Sequence, residues 1–308
     1  MRLGAHLPLA DLGDGVPTAA DLRGYVRAAR ELGFATVAAN DHLLWGRPWI
    51  DGPTALASVT AAAGDMVLAT SITLPVVRHP VVVAKTLTTL ASLATGPVVG
   101  GLGPGSSRRD YEAVGIPFEE RWARFDEALR LTRALVRGEE AATGRFYRHC
   151  APIEPVPDPP PLVWFGSWGS DRRLAAMAAV ADGWFASAYN ANPLQYVEAR
   201  GRLDGHLRAA GRDPGSFPDA VATMWLYVTE SRSEARQVLA DVLAPVLHRD
   251  PDRLAHLPVG GAQHCADVFA EYAAAGAAEL LVWPVRDSLR QLERGMAAAS
   301  KGGATTHA

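Results

Sequence analysis

The first hundred residues alternate between two hydrophobic patterns, short apolar runs and longer stretches with helical periodicity. Arg2 to Leu7 is strand-like. Thr18-Ala-Ala-Asp21 then opens a helix in the manner of a capping box, and the helix runs to Gly33 at its C′ position. Thr36 to Ala39 predicts a second strand, and Pro53, suited to a first helical turn, opens a helix that ends near Gly64. Met66 to Leu74 is the third strand, Pro80 opens a helix to Thr95, and Pro97 to Leu102 is the fourth strand. Strands begin near 2, 35, 66 and 97, a period of about thirty residues that suits repeated βα units.

The second half keeps this rhythm less strictly. An amphipathic helix is predicted over Pro117 to Arg137, where Phe118, Arg121, Trp122, Phe125, Leu129, Thr132 and Leu135 recur at helical spacing. Residues 138–161 form an irregular excursion ending in the Pro-rich Pro152 to Pro161. Strand five is Leu162 to Phe165, with a helix from Ser170. Strand six is Gly183 to Ser187, with a helix from Pro193 to about Ala210. Strand seven is Ala220 to Thr229, followed by a helix from Ser233 to Leu247 and a second irregular stretch. A helix over His264 to Gly276, strand eight over Glu279 to Val285 and a helix after Asp287 complete the series. Eight strands alternating with helices predict an α/β fold, a (β/α)8 TIM barrel with insertions after strands 4 and 7. A doubly wound sheet is the runner-up, and the evenness of the first four periods argues for closure. No linker divides the chain, so residues 1–300 are expected to form a single domain and residues 301–308 a frayed tail.

Composition acts by exclusion. With 308 residues, 48% hydrophobic and 20% charged, the chain can bury a core of barrel size. A net charge of -3 gives no electrostatic case for nucleic acid or an anionic membrane surface. No signal-peptide pattern opens the chain and no apolar run is long enough to span a bilayer, so a cytoplasmic protein is expected. Cys150 and Cys265 sit in no C-x-x-C and are expected to be structural or incidental thiols.

Ligands of a barrel gather on the loops at the carboxyl ends of its strands. The most informative loop is Val98-Val-Gly-Gly-Leu-Gly-Pro-Gly-Ser-Ser-Arg-Arg-Asp110. Its glycines look like the start of a G-x-G-x-x-G dinucleotide fingerprint, but that motif opens directly into an apolar helix early in a βαβ unit. Here three βα periods precede it and the next long helical pattern waits until Pro117. Gly103 and Gly105 are therefore expected to make room for a cofactor at a strand-end turn. Gly166-Ser167-Trp168-Gly169-Ser170 is the best anion site, because backbone N–H groups and a helix dipole meet two serine hydroxyls there. A simple N-cap role for Ser170 or Ser167 is the alternative.

Asp41-His42, at the end of strand two, is the most attractive polar pair. The aspartate can fix a ring N–H of a ligand, and histidine moves protons near neutral pH. All tryptophans except Trp122 fall in strands or just after them, which suits a flat heteroaromatic ligand; burial in the core is the alternative for Trp164, Trp184, Trp225 and Trp283. Metal chemistry is not expected, since H-x-H, H-E-x-x-H and Cys/His clusters are absent. No G-x-S-x-G occurs, and His149-Cys150 lies in the excursion. Glu119-Glu120-Arg121 and Asp126-Glu127 are expected to be ordinary helix surface with i,i+4 pairing.

Ala29-Arg-Glu-Leu-Gly-Phe34, Asn40-Asp-His-Leu43, Arg78-His-Pro80 with Ala84-Lys85 and Thr89-Leu90, Gly101-Leu-Gly-Pro-Gly105, Gly115-Ile-Pro-Phe-Glu-Glu-Arg121, Ala181-Asp-Gly-Trp184 and Ala275-Gly276 follow one another over nearly the whole chain. This ordered set resembles the bacterial luciferase-like family of flavin- and deazaflavin-dependent oxidoreductases, whose fold is a (β/α)8 barrel. The resemblance implies a reduced isoalloxazine-type cofactor across the barrel mouth. In the family a bulge in strand three, often with a non-proline cis peptide, supports the ring, and Ser71-Ile72 is the matching position. Asp41 and His42 match the strand-two pair near the ring. His42 and Trp45 match positions used for proton handling in deazaflavin members, and Gly166 to Ser170 matches the phosphate-side loop. Members commonly carry Ser-Gly-Gly-Arg before strand four, whereas this chain has Ala94-Thr-Gly-Pro97 and lacks that arginine.

The implied function is a two-electron oxidoreductase that uses reduced coenzyme F420, with FMN as the alternative cofactor, to deliver hydride to an unsaturated or carbonyl-type small molecule. His42 would protonate the product or the cofactor ring, while His6, Trp45, Trp49 and Tyr189 would stand on the substrate side. The runner-up is an FMN-dependent monooxygenase supplied with reduced flavin by a partner reductase, followed by a non-catalytic flavin-binding protein and, more distantly, a metal-dependent barrel hydrolase. A reduced flavin traps oxygen readily, whereas a 5-deazaflavin transfers hydride, and Asp-His with a nearby Trp favours the deazaflavin. The family also implies a homodimer. The loops 43–52 and 188–193 carry no recognisable code for the substrate.

Overall fold

In the computed structural model, which describes residues 1–148 and 151–303, eight parallel strands close into a barrel. They are β1 (Arg2–His6), β2 (Thr36–Ala39), β3 (Val67–Thr73), β4 (Val98–Leu102), β5 (Leu162–Gly166), β6 (Gly183–Ser187), β7 (Asp219–Val228) and, after the two-residue β8 (Val259–Gly260), β9 (Glu279–Pro284). Each stave pairs with the next, β7 pairs with β9, and β9 returns to β1 with Glu279 opposite Arg2. The sequence pattern missed β8, which is too short to show alternation and only extends the end of β7 by pairing Val259 with Tyr227.

Helices follow the staves on the outside. Thr18 and Asp21 form the full capping box of helix Ala19–Glu31, and Asp51 caps Gly52–Ala63 with Pro53 in its first turn. The helix expected from Pro117 starts as a 3-10 turn, Phe118–Glu120, and becomes α over Arg121–Val136. A short helix, Arg108–Ala113, escaped the pattern. The stretch expected as one helix after Ser233 is α at Arg232–Gln237 and Ala244–Leu247 and π between them, at Val238–Leu243. Pro245 has no N–H for the carbonyl of Asp241 and its ring crowds that carbonyl, which a wider turn accommodates. The last helix, Ser288–Lys301, continues past the expected start of fraying; the rest of that tail from residue 304, and His149-Cys150, lie outside the described residues. Among the described residues no helix is long and apolar enough to cross a membrane.

Strand alternation sends one set of side chains under the helices and the other into the barrel. Inside are Ala38, Ala69, Val99, Trp164, Phe185, Ala220, Ala222 and Leu281. The two large rings, Trp164 and Phe185, meet at 4.7 Å between centroids and need neighbours without side chains. A Cβ on Gly183 would lie 2.5 Å from the Trp164 ring; on Gly101 it would lie 2.5 Å from the Phe185 ring and 2.2 Å from the carbonyl oxygen of Thr70. The glycines of β4 are thus first a packing device, which builds a closed floor beneath the mouth. Gly101→Ala is expected to cost about 2 kcal/mol or more, because overpacking typically costs about 1–3 kcal/mol and one clashing atom is backbone. The urea midpoint measures this, and a variant as stable as the parent would contradict the packing.

Candidate functional site

β2 runs out into Asn40-Asp41-His42, and its two ionisable residues are drawn to different neighbours. The Asp41 carboxylate, 4% exposed, accepts from Nε and Nη2 of Arg78 at 2.6 Å each, from the Thr73 hydroxyl at 2.6 Å and from the Leu74 N–H at 3.2 Å. Arg78 also donates to Asp51 at the cap of the next helix. Burial works against the Arg78 charge, but the two carboxylates more than offset it and hold the guanidinium above its ordinary value. Asp41 was expected to fix a ligand's ring N–H. Its oxygens fasten the exits of β2 and β3 together, while the residue also lines the cavity at the barrel mouth.

His42 turns the other way. Its Nδ1 lies 2.8 Å from Oδ2 of Asp110, which is 1% exposed and whose Oδ1 accepts from the N–H groups of Leu43 at 3.1 Å and Leu44 at 2.7 Å. An ionised carboxylate only accepts, so Nδ1 carries the proton and Nε2 is left as the ring's working atom. Trp49 packs edge-on against this ring at 5.0 Å and Trp45 lies nearly parallel to it at 6.2 Å. Asp110 closes the glycine segment, and the sequence reading gave it no role. The only local sign was Ser107 at the cap of its short helix.

A cavity of about 380 Å³ opens at the carboxyl ends of the strands, with Phe185 in its wall. Asp41, His42, Ser71, Ile72, Gly105, Gly166, Ser167, Trp168, Ser170 and Tyr189 all line it. Gly103 stands behind the wall: a Cβ there would lie 2.0 Å from Cδ1 of Ile72, and one on Gly166 would lie 2.5 Å from Cγ2 of the same residue. These glycines admit Ile72, which the strand-three bulge pushes toward them. The Ser71–Ile72 peptide is cis, and the β3–β4 register shifts between Ser71 and Thr73. The Ser71 hydroxyl and Asn40 Oδ1 are buried without a hydrogen-bond partner, and both residues belong to the lining. Buried polar atoms left open in a cavity wall favour a ligand that can satisfy them.

The far end of the cavity is cationic. Ser170 is the N-cap of helix Asp171–Val180 but makes no capping hydrogen bond, so a simple cap does not describe it. The Ser167 hydroxyl accepts from the Gly169 N–H at 3.2 Å, and Trp168, 62% exposed, forms part of the rim. Arg121 and Arg173 line this end. Arg173 is 7% exposed, bonds Asp126 at 2.8 Å and covers the Trp122 ring at 3.8 Å. A guanidinium in a first helical turn opposes the helix dipole; a second arginine and a hydroxyl that makes no capping bond give this end the chemistry that suits an anion. The expectation of ordinary surface over 119–127 is therefore corrected. Glu120 does pair with Arg124, but Arg121 faces the cavity and Asp126 holds Arg173. The signal was present, since Arg121 shares a helical stripe with Trp122 and Phe125.

His6, Trp45 and Trp49 stand outside the lining. His6 is wholly buried, stacks on Trp283 at 4.9 Å, and accepts the Thr223 N–H on Nε2 at 3.1 Å. Thr223 lines the cavity at φ 60°, rare for a β-branched residue, within a bulge of β7 against β9. His6 therefore holds the cavity wall from behind. Trp49 contacts Trp45 at 4.7 Å and Trp283 at 5.4 Å, and Trp283 stacks on Trp225 at 4.3 Å, so these rings back the His42 side of the mouth. Trp184 stacks on Tyr196 in the outer core. Burial pushes the Tyr189 phenol up, and Asn190, Arg249 and Ser187 draw it part of the way back.

Burial also holds the His6 imidazole down at about 3, from 6.5. The unfolded chain therefore takes this proton first. The contribution of neutral His6 is intact above pH 6.5 and is lost as pH falls toward 3, at up to about 1.4 kcal/mol per pH unit. His6→Gln is expected to flatten the fall of stability with pH across that window. Equal slopes for variant and parent in thermal unfolding would contradict this.

The chain is a closed barrel with a cavity at its mouth, arginines at one end of that cavity and a carboxylate-held histidine in its wall, and the barrel is one that known proteins share. A family model described as luciferase-like monooxygenase matches residues 2–278, and the chain belongs to that family. It is 38% identical over 179 residues to the F420-dependent glucose-6-phosphate dehydrogenase of Beutenbergia cavernae, a match covering 54% of this chain and 52% of that protein. It is 30% identical over 227 residues to the F420-dependent hydroxymycolic acid dehydrogenase of Mycobacterium tuberculosis, covering 70% of this chain and 61% of that protein. The matches thus span about half to three fifths of these relatives' lengths. An F420-dependent secondary alcohol dehydrogenase in complex with an F420-acetone adduct shares the fold, with a TM-score of 0.83 over 96% of this chain and 97% of that one at 17% identity.

Proposed function

We propose that this chain is a two-electron oxidoreductase that uses reduced coenzyme F420 and passes hydride to an unsaturated or carbonyl-type small molecule. The observation that carries this reading is the Asp110-held His42, whose Nε2 is the ring atom left for a proton at the mouth of a cavity with a cationic end. The residues fit the cofactor. Ile72 and the floor below it offer an apolar support for a flat ring, and the open Ser71 hydroxyl and Asn40 Oδ1 offer hydrogen-bonding atoms beside it. Ser170, Arg121 and Arg173 would hold the phosphate end. When bound, the reduced deazaflavin supplies the hydride.

The rest falls to the protein. His42 gives or takes the accompanying proton at Nε2, and Asp110 stabilises the ring when it is charged and orients it when it is neutral. Trp45 and Trp49 restrict the ring's rotation, and Asp41 with Arg78 keeps the β2 exit in place. An oxygenase using reduced FMN would share the fold and the anion end. A ring held through Nδ1, whose Nε2 takes a proton when neutral and gives one when charged, is the feature that favours hydride transfer, and two relatives that are F420-dependent dehydrogenases agree with it.

Titrating the purified protein separately with coenzyme F420 and with FMN, followed by absorption and fluorescence, tests the cofactor. Saturable binding of F420 is expected; tight FMN binding without F420 binding would overturn the assignment. His42→Ala is expected to bind F420 within about threefold of the parent. Its turnover should fall by about 10²–10⁴, the usual contribution of general acid–base catalysis. Unchanged turnover would remove His42 from the mechanism.

A further inference from the structure

The loop at the cationic end of the cavity, Gly166 to Ser170, is held from behind by one stripe of a neighbouring helix. Helix Pro193–Ala209 packs against Asp171–Val180. Its residues Tyr196, Ala199, Arg202 and His206 follow one another at the three- and four-residue spacing of a single face. Each acts on the loop or on the helix start that follows it. Tyr196 stacks on Trp184 at 5.5 Å, and the indole Nε1 of Trp184 donates to the Ser167 carbonyl at 3.2 Å. Ala199 leaves room for Gly169, which has φ 83° and whose Cβ, were there one, would lie 2.8 Å from that of Ala199. Arg202 donates from Nη2 to the Gly169 carbonyl at 2.9 Å. His206 Nε2 lies 2.9 Å from Oδ1 of Asp171, so the acid of the first helical turn is engaged by this helix.

Peptide planarity carries the effect of these contacts to the cavity. In a trans peptide the C=O of one residue and the N–H of the next point in opposite directions, and the peptides after Ser167 and Gly169 are both trans. With the Gly169 carbonyl held toward Arg202, the Ser170 N–H points away from that helix. The Ser167 carbonyl, held by Trp184, does the same for the Trp168 N–H. Trp168 and Ser170 line the cavity, whereas Trp184, Arg202 and Asp171 do not. Among the described residues neither of these two N–H groups meets an acceptor.

We infer that Arg202 and Trp184 are positioning residues of the cationic end, which hold two carbonyls outward and so turn the Ser170 and Trp168 N–H groups toward a bound oxyanion. Arg121 and Arg173 supply charge at this end, and charge attracts an anion from many directions. Aimed N–H groups accept it in one. The ligand this suits is a terminal phosphate-like group with several acceptor oxygens. The inference rests on the reading of this end as the seat of the cofactor's phosphate, and adds the residues that shape it from outside.

The test uses inorganic phosphate as the probe, with the full chain carrying nitrogen-15 serine and no cofactor added. At saturating phosphate the Ser170 amide signal of the parent, assigned with Ser170→Thr, is expected to move downfield as its N–H bonds the anion. Arg202→Leu releases the Gly169 carbonyl. The downfield move should then be lost even at saturation, with the circular dichroism unchanged. Phosphate should bind about tenfold more weakly, as for one lost hydrogen bond to an anion. A distant charge would alter the affinity but not the amide position at saturation. Arg202→Lys, which restores a donor, should recover both. An equal displacement at saturation in the parent and in Arg202→Leu would overturn the proposal and leave the anion end in place. A parent protein that binds no phosphate would instead overturn the anion end itself, and the phosphate seat in the proposed function with it.

Discussion

The hydrogen bond from His42 to Asp110 joins the exits of β2 and β4 across the end of β3, and the chemistry of the mouth depends on it. A buried carboxylate is tolerable only when its oxygens are fully engaged. Asp110 meets that condition with the His42 ring and two successive backbone N–H groups. Those same N–H groups fold the chain directly after His42, so one carboxylate sets both the course of the loop and the tautomer of the ring. The neighbouring Asp41 is committed to Arg78 and does not compete for the imidazole. Two adjacent residues on one strand end thus take different partners, Asp41 fastening the scaffold through Arg78 and His42 held by Asp110 at the cavity.

Beneath them the barrel interior is made by complementarity of size. Trp164 and Phe185 fill the lumen because Gly183 and Gly101 leave it open, with alanines of β2, β3 and β7, Val99 and Leu281 taking the remaining space. Ile72 lies over Gly103 and Gly166 by the same device. The cavity therefore begins at a rigid floor, with polar atoms around its wall and cations concentrated at one end, the arrangement expected where a flat ring with an anionic tail must be held in one orientation.

Much of the fold was legible in the sequence because it is written locally. The Thr18 capping box, the prolines at helix starts and the thirty-residue spacing of apolar runs each act within a few turns of chain. Half of the site was legible for a related reason: strand ends can be counted, and barrel sites sit at strand ends. What escaped depends on distance in sequence. Asp110 meets His42 across 68 residues and Thr223 meets His6 across 217, and no periodicity carries that information. Burial and partners place His6 behind the wall, whereas Asp41 both lines the cavity and holds Arg78, and neither arrangement shows in a linear pattern. The glycine segment shows the same limit. Gly101 and Gly103 make room for Phe185 and Ile72, Gly105 reaches the cavity, and the segment's last residue, Asp110, holds the histidine.

The most direct test of this account is the protonation site of the neutral His42 ring, read from its ring-nitrogen NMR shifts, with His42→Gln used to assign the signal. The account predicts the proton on Nδ1 and a bare Nε2, with that preference lost in Asp110→Asn. A proton found on Nε2 of the parent protein, or a tautomer indifferent to Asp110, would contradict it.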